Sequence, residues 1–219
     1  MDACTENNRV QNSTSQKNTS QNSTIQNTAT QCTLDESLVK VLPRHPDSRL
    51  KSDWLFLYEK LPASQWYDTD YVHKTASWLG IHRSIRKRQR VLEQLSAEYQ
   101  MGALNWSNYR LQILPRIEDH VFKVHQHHSI EDRRYFPYFL SLYPQLKAGF
   151  EILERDHLRL DALLDELQTL NNALANSEDE DKALAERLHH TLVASSTLLS
   201  HHLSDEEDLV IPILGLRPE

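Results

Sequence analysis

Glycine is scarce in this chain, four residues in 219. Its rarity leaves long stretches in which apolar residues recur every three or four positions, the helical period, so a sheet protein is excluded and an all-α fold is expected. Cysteine is nearly absent as well. Cys4 and Cys32 stand alone in the first 33 residues, with no CxxC or Cys/His spacing, which excludes a disulfide framework and a thiolate zinc site. There is no apolar run of about 18 residues, and the N-terminus MDACTENN has neither a charged n-region nor an apolar h-region. A soluble, cytoplasmic protein with no membrane partner is therefore expected. Basic charge is also in deficit: a net charge of -7 and a pI near 5.9 give no reason to expect nucleic acid. The one basic run, Arg83, Arg86, Lys87, Arg88 and Arg90, reads as a solvated helix face.

Three regions follow from composition. Residues 1–33 are dominated by Asn, Gln, Ser and Thr, with QNST written twice, and cannot bury enough apolar surface to offset ordering; a disordered polar tail is expected. Residues 34–68 are apolar but broken by Pro43, Pro46 and Pro62, which suits an extension of short helical pieces packed on the main domain. Residues 69–216 read as four amphipathic helices with short links, an up-down-up-down bundle. The first starts at an Asp68 or Asp70 cap and stops at Gly102. The second starts at Asn105 or Ser107 and runs to about Arg134, with Pro115 as a kink or first turn. The third ends near Asn176, and the acidic loop at 177–181 places negative charge at the start of the fourth.

One pattern, H-x3-E-x5-P, occurs twice: His127, Glu131 and Pro137, then His202, Glu206 and Pro212. On a helix, residues i and i+4 share a face, so each copy presents an imidazole and a carboxylate in one direction. The competing frames, His128 with Asp132 and His201 with Asp205, do not keep the spacing to the proline. The apolar stripe of the last helix, through Leu188, Leu192, Leu199, Leu209 and Ile213, turns His202 and Glu206 inward. In the first copy the stripe through Ile117, Val121 and Val124 fixes Glu131 inward but passes between His127 and His128, so the repeat alone selects His127. In an up-down-up-down bundle His82 and His157, early in helices one and three, meet His127 and His202, late in helices two and four. Burying four imidazoles and two carboxylates together without a cation would cost several kcal/mol per ionised group. Two ions with the glutamates shared between them are expected. The donor set favours iron over zinc. The Phe-Pro and Ile-Pro pairs are read as helix stops. His45, His73, His120, His125, His189, His190 and His201 are read as surface or supporting residues, with His128 and Asp161 intermediate.

Residues from about 70 to 216 resemble the hemerythrin-like, HHE cation-binding family. The resemblance is carried by Ile81-His82-Arg83, by His127-His128-Ser-Ile-Glu131-Asp132 through Phe136-Pro137, by Glu154-Arg-Asp-His157, and by His202-Leu-Ser-Asp-Glu206-Glu207 through Ile211-Pro212. It implies a four-helix bundle with two non-haem iron ions bridged by carboxylates and an oxo or hydroxo group. The metal ligands implied are His82, His127, Glu131, His157, His202 and Glu206. The chain departs from the oxygen-carrying members on helix three: one turn from His157 stand Leu153 and Asp161 instead of a second histidine. Asp161, His128 or water is left to complete that side, which counts against simple reversible oxygen carriage.

The function expected is a di-iron-binding protein that binds, senses or handles oxygen, peroxide, nitric oxide or iron, with a small diatomic or peroxide ligand as its partner. A di-iron enzyme reducing oxygen or peroxide, with Tyr135 or Tyr138 as electron donor, and a metal-free helical interaction module are the alternatives.

Overall fold

The computed structural model describes residues 44–217. The expected polar tail, 1–33, and the first ten residues of the extension lie outside the described residues.

The long helices are α1 (Val72–Gln100) and α2 (Trp106–Ile130); a π-helical turn (Glu131–Tyr135) leads into the short α3 (Phe136–Leu142), followed by α4 (Lys147–Asn176) and α5 (Lys182–Leu216). No strand is present among the described residues. Helix α1 packs on α2 and α5, and α4 packs on the same two, so the four long helices close an up-down-up-down square.

Local chemistry sets most of the ends. The Asn105 side chain accepts the Asn108 amide at 2.9 Å and caps α2, and Asp181 accepts the Leu184 amide at 2.9 Å to cap α5. Gly102 takes φ 74° just past α1, a conformation that costs glycine little. The expected cap of α1 is corrected. Neither Asp68 nor Asp70 caps through its side chain: Tyr71 is the N-cap, and a preceding turn feeds into the helix through the Asp68 carbonyl. The two prolines do not stop their helices either. Pro137 lies in the first turn of α3, where a missing N–H costs nothing, and the π turn before it absorbs the change of register. Pro212 sits inside α5, which continues to Leu216.

Two apolar clusters fill the bundle. One includes Ile85, Leu92, Tyr109, Val124, Leu164 and Leu192; the other holds Trp78, Phe136, Phe139, Phe150, Leu153 and Leu209 together with Leu50, Leu55, Leu57, Leu61 and Trp66 of the extension. Those extension residues account for a feature of α5. From His202 to Ile213 nearly every residue is buried whatever its face, because the extension covers the side the bundle leaves open. The approach is close at Gly215, where an added Cβ would collide with the Leu61 side chain. Helices α1, α4 and α5 pass from one cluster to the other, and α2 ends between them and reaches the second through the π turn and α3; at the crossing they carry histidine or glutamate: His82 on α1, His127 and His128 on α2, His157 on α4, His202 and Glu206 on α5.

Candidate metal centre

The six residues singled out by the repeat and the resemblance come together, and His128 joins them. His82, His127, Glu131 and Glu206 form one group of potential metal donors, and His128, His157 and His202 form a second. The two carboxylates span the groups. Glu206 has Oε1 3.2 Å from His82 Nε2 and Oε2 3.3 Å from His202 Nε2. Glu131 has Oε1 3.0 Å from His127 Nδ1 and Oε2 3.7 Å from His157 Nε2. Each glutamate thus offers one oxygen to each histidine set, and His127 Nε2 stands 3.1 Å from His82 Nε2 across the first group.

On the helix-three side the structure brings His128, not Asp161, in among the buried donors. His128 is buried and stacks on His157 with ring centroids 4.0 Å apart, while its edge faces His202 at 5.3 Å. It stands on the side where the second α4 histidine is missing. Asp161 does not enter the group: it is 42% exposed, 3.1 Å from His125 Nδ1 and 3.7 Å from His128 Nδ1. His127 and His128 both point inward because successive helical residues diverge by about 100°, so at the bundle centre one faces α1 and the other α4 and α5. The π turn then changes register. The stripe that would have continued to Tyr135 buries Phe136 and Phe139 instead, since one extra residue per turn rotates everything beyond it.

Supporting contacts surround the cluster, and sequence reasoning missed most of them. Glu207 Oε1 is 2.9 Å from His82 Nδ1, and Asp132 Oδ1 is 2.8 Å from His157 Nδ1. These hydrogen bonds orient the single clustered histidine of α1 and that of α4. The signal was present: in both copies of the repeat a second acid directly follows the glutamate. Arg86 closes the first relay with Nη2 3.0 Å from Glu207 Oε2, and Arg88 pairs with Asp119, so the basic run is not wholly a solvated face. Trp78 donates its indole N–H to Glu206 Oε1 at 2.7 Å. On the outer side Arg49 of the extension pairs with Asp156, beside His157.

The electrostatics show a site built for positive charge. Burial pushes His127 and His202 below the ordinary imidazole range, and His128 down to about 3, which keeps them neutral and lone-pair-bearing. His82 is the exception: burial opposes its charge, but Glu206 and Glu207 outweigh it and raise it to about 9. Burial and the neighbouring Glu206 hold Glu131 well above the usual carboxylate range. Both Glu131 oxygens, Glu206 Oε2, both nitrogens of His128 and of His202, and His157 Nε2 are buried with no hydrogen-bond partner. Unsatisfied groups of this kind cost about 1–3 kcal/mol each, and a coordinated cation is the species that satisfies so many at one point.

Of the residues set aside, His201 points away from the centre toward Asp47, and His189 faces Ser96. His120 is a correction: it is fully buried rather than at the surface, far from the cluster along α2. No described helix is long and apolar enough to cross a membrane.

Among curated proteins and among solved structures, none gives a significant match. Residues 73–214, more than half of the chain and all seven clustered side chains, match the family model of the Hemerythrin HHE cation binding domain. With the helical square, the doubled H-x3-E element and the buried donors agreeing, the chain belongs to the hemerythrin HHE cation-binding family.

Proposed function

We propose that this protein holds two non-haem iron ions, bridged also by an oxo or hydroxo group, and uses them to bind, sense or handle oxygen, peroxide or nitric oxide. The observation that carries the reading is the placement of the two glutamates, each with one oxygen toward either histidine set. His82 and His127 would serve one iron and His128, His157 and His202 the other, with Glu131 and Glu206 shared. Neutral imidazole with carboxylate is the donor set of non-haem iron, and bound iron would supply one-electron redox chemistry and room for a small ligand.

The protein's own residues make the two sides unequal. The three-histidine side is walled in by Phe136, whose ring lies 5.5 Å from His157. The other side borders a cavity of about 470 Å³ between α1 and α2, lined by Trp78, Ile81, His127, Ile130, Glu131 and Tyr135. A small ligand would have a route to the His127 and Glu131 side through this cavity, whose lining also includes Lys74, Arg88, Lys123 and Gln126. Of the three completions the sequence leaves open, Asp161, His128 or water, this reading takes His128 as the third imidazole, since it stacks on His157 while Asp161 stands outside the group, and a third imidazole on that side would favour a longer-lived oxygen complex. The test is metal content with absorption spectra of anaerobic and oxygen-exposed protein. Two irons per chain are expected, and Glu131→Ala and Glu206→Ala should each abolish the pair. Full iron and unchanged spectra in both variants would sink the centre as drawn.

The cavity also favours a second reading, an enzyme reducing oxygen or peroxide. Tyr135 lines its wall and meets Trp78 edge-on at 5.0 Å, a position from which it can relay an electron. Many turnovers with an added reductant would support it; a single stoichiometric oxidation would leave the binding and sensing reading.

A further inference from the structure

A third group of donors lies outside the buried centre. His45, Asp47 and His201 bring two imidazoles and a carboxylate within 4.8 Å of one another at the surface, and nothing in the proposed iron chemistry uses them. Two are separated from the third by more than 150 positions, so the group exists only because the extension crosses α5 at this point.

The crossing is held firmly. His45-Pro46-Asp47-Ser48 forms a β-turn, with the Ser48 amide donating to the His45 carbonyl at 3.0 Å; Pro46, second in the turn, fixes its φ in advance. Arg44 pairs with Asp208 at 3.1 Å and also donates to the Leu50 carbonyl at 2.9 Å. Arg49 pairs with Asp156, and its amide donates to Asp205 at 3.3 Å. The donors on the turn are thus anchored to α5 on both sides, and an arriving ion has little chain to order.

Their chemistry suits an ion better than it suits the contacts present. The Asp47 amide donates to His45 Nδ1 at 3.2 Å, a long hydrogen bond and the one contact that a metal bound to the His45 ring would displace. The His45 and His201 rings are 4.2 Å apart and tilted by 56°. His201 Nε2 is 3.8 Å from Asp47 Oδ2, too far for a hydrogen bond. For bonds of roughly 2.0–2.1 Å the edge of a tetrahedron is about 3.4 Å. The His201–Asp47 pair needs to close by about 0.4 Å and the other pairs, all within 4.8 Å, by no more than about 1.4 Å, movements that partly exposed side chains can make, to complete three corners and leave the fourth to water.

We propose that His45, Asp47 and His201 form a separate surface site for a borderline divalent transition-metal ion, Zn²⁺ or Cu²⁺, which fastens the extension to α5. Two imidazoles and one carboxylate without thiolate select such ions over Ca²⁺ and Mg²⁺, which prefer all-oxygen shells. The site stands whether or not the buried centre is filled.

The experiment is equilibrium dialysis of the full-length chain, carrying whatever iron it holds, against micromolar Zn²⁺, with both metals counted. Wild type should take up one more Zn²⁺ than His45→Gln, Asp47→Asn or His201→Gln, each variant weakening that uptake at least tenfold while iron content stays the same. Cu²⁺ in its place should show two nitrogen ligands by electron paramagnetic resonance, and one in His45→Gln. Because His201 adjoins His202, the double variant His45→Gln/Asp47→Asn decides if His201→Gln also loses iron. Equal zinc uptake by wild type and the double variant, no uptake by wild type, or zinc gained only as iron is lost would each overturn the site.

Discussion

Twelve histidines share one side chain and differ in what their positions allow. His201 and His202 are neighbours, yet His202 is fully buried against Glu206 and His201 faces Asp47 at the surface. His202→Ala should therefore lose iron while His201→Ala keeps it, measured as iron per chain; equal loss would mean the inward residue had been misassigned. The doubled spacing to proline made this frame legible. It could not place His128, because two adjacent residues can both face the middle of a bundle and a stripe drawn on one helix has no second neighbour to reveal that. Supporting residues are tuned more weakly. Asp132→Asn and Glu207→Gln should each weaken iron binding by about 10–100-fold without abolishing it, the usual effect of removing the partner that orients a ligating imidazole; unchanged iron affinity in both would show that the hydrogen bonds are idle. His120 has a different consequence. Burial, with Arg88 adding to it, lowers its pKa from 6.5 to about 4. The unfolded chain takes up this proton below 6.5 and the folded chain only near 4, so the stability His120 contributes is complete above pH 6.5 and is lost as pH falls toward 4. Between pH 7 and 5 that loss is about 2 kcal/mol. His120→Leu should remove it, read as a smaller drop in denaturation free energy between the two pH values than wild type shows; an identical drop would mean that His120 takes its proton equally in both states.

At the scale of elements, helix periods and caps were readable and changes of register were not. Asn105 and Asp181 cap as their positions suggest, since a short polar side chain before an apolar-periodic run has one strong local use. The π turn at Glu131–Tyr135 follows from no local signal except Pro137, and that proline reads equally well as a stop. Its effect is to hold Glu131 in the cluster while turning Phe136 and Phe139, rather than Tyr135 and Tyr138, into the core beyond it. Helix α5 shows the limit of reading one helix at a time, because its all-round burial depends on an extension far away in sequence. Gly215 marks that contact. A methyl group there would meet Leu61, itself fully buried, so Gly215→Ala should destabilise the fold by about 1–3 kcal/mol despite alanine's better helix propensity. A melting temperature equal to or above that of wild type would show that the extension yields easily.

For the molecule as a whole, the buried centre is the polar seam between two apolar clusters, and all four long helices contribute to it. Each cluster is made of side chains that need no ion, so the helices have apolar partners on both sides of the seam without metal. The seam itself does not: its unpartnered oxygens and nitrogens and its like-charged carboxylates weigh against the folded state until a cation arrives. Removing iron by chelation under reducing conditions should accordingly leave the helical circular-dichroism signal nearly intact while lowering the melting temperature, because a ligand that binds only the folded chain stabilises it by mass action, roughly 3 kcal/mol at a hundred times its dissociation constant. Restoring iron should restore the melting temperature, and Glu131→Ala/Glu206→Ala should melt at one temperature with or without it. Two outcomes would count against a seam held by metal: collapse of helicity on chelation, which would make the ion a requirement for folding, and a melting temperature indifferent to iron in the wild-type chain.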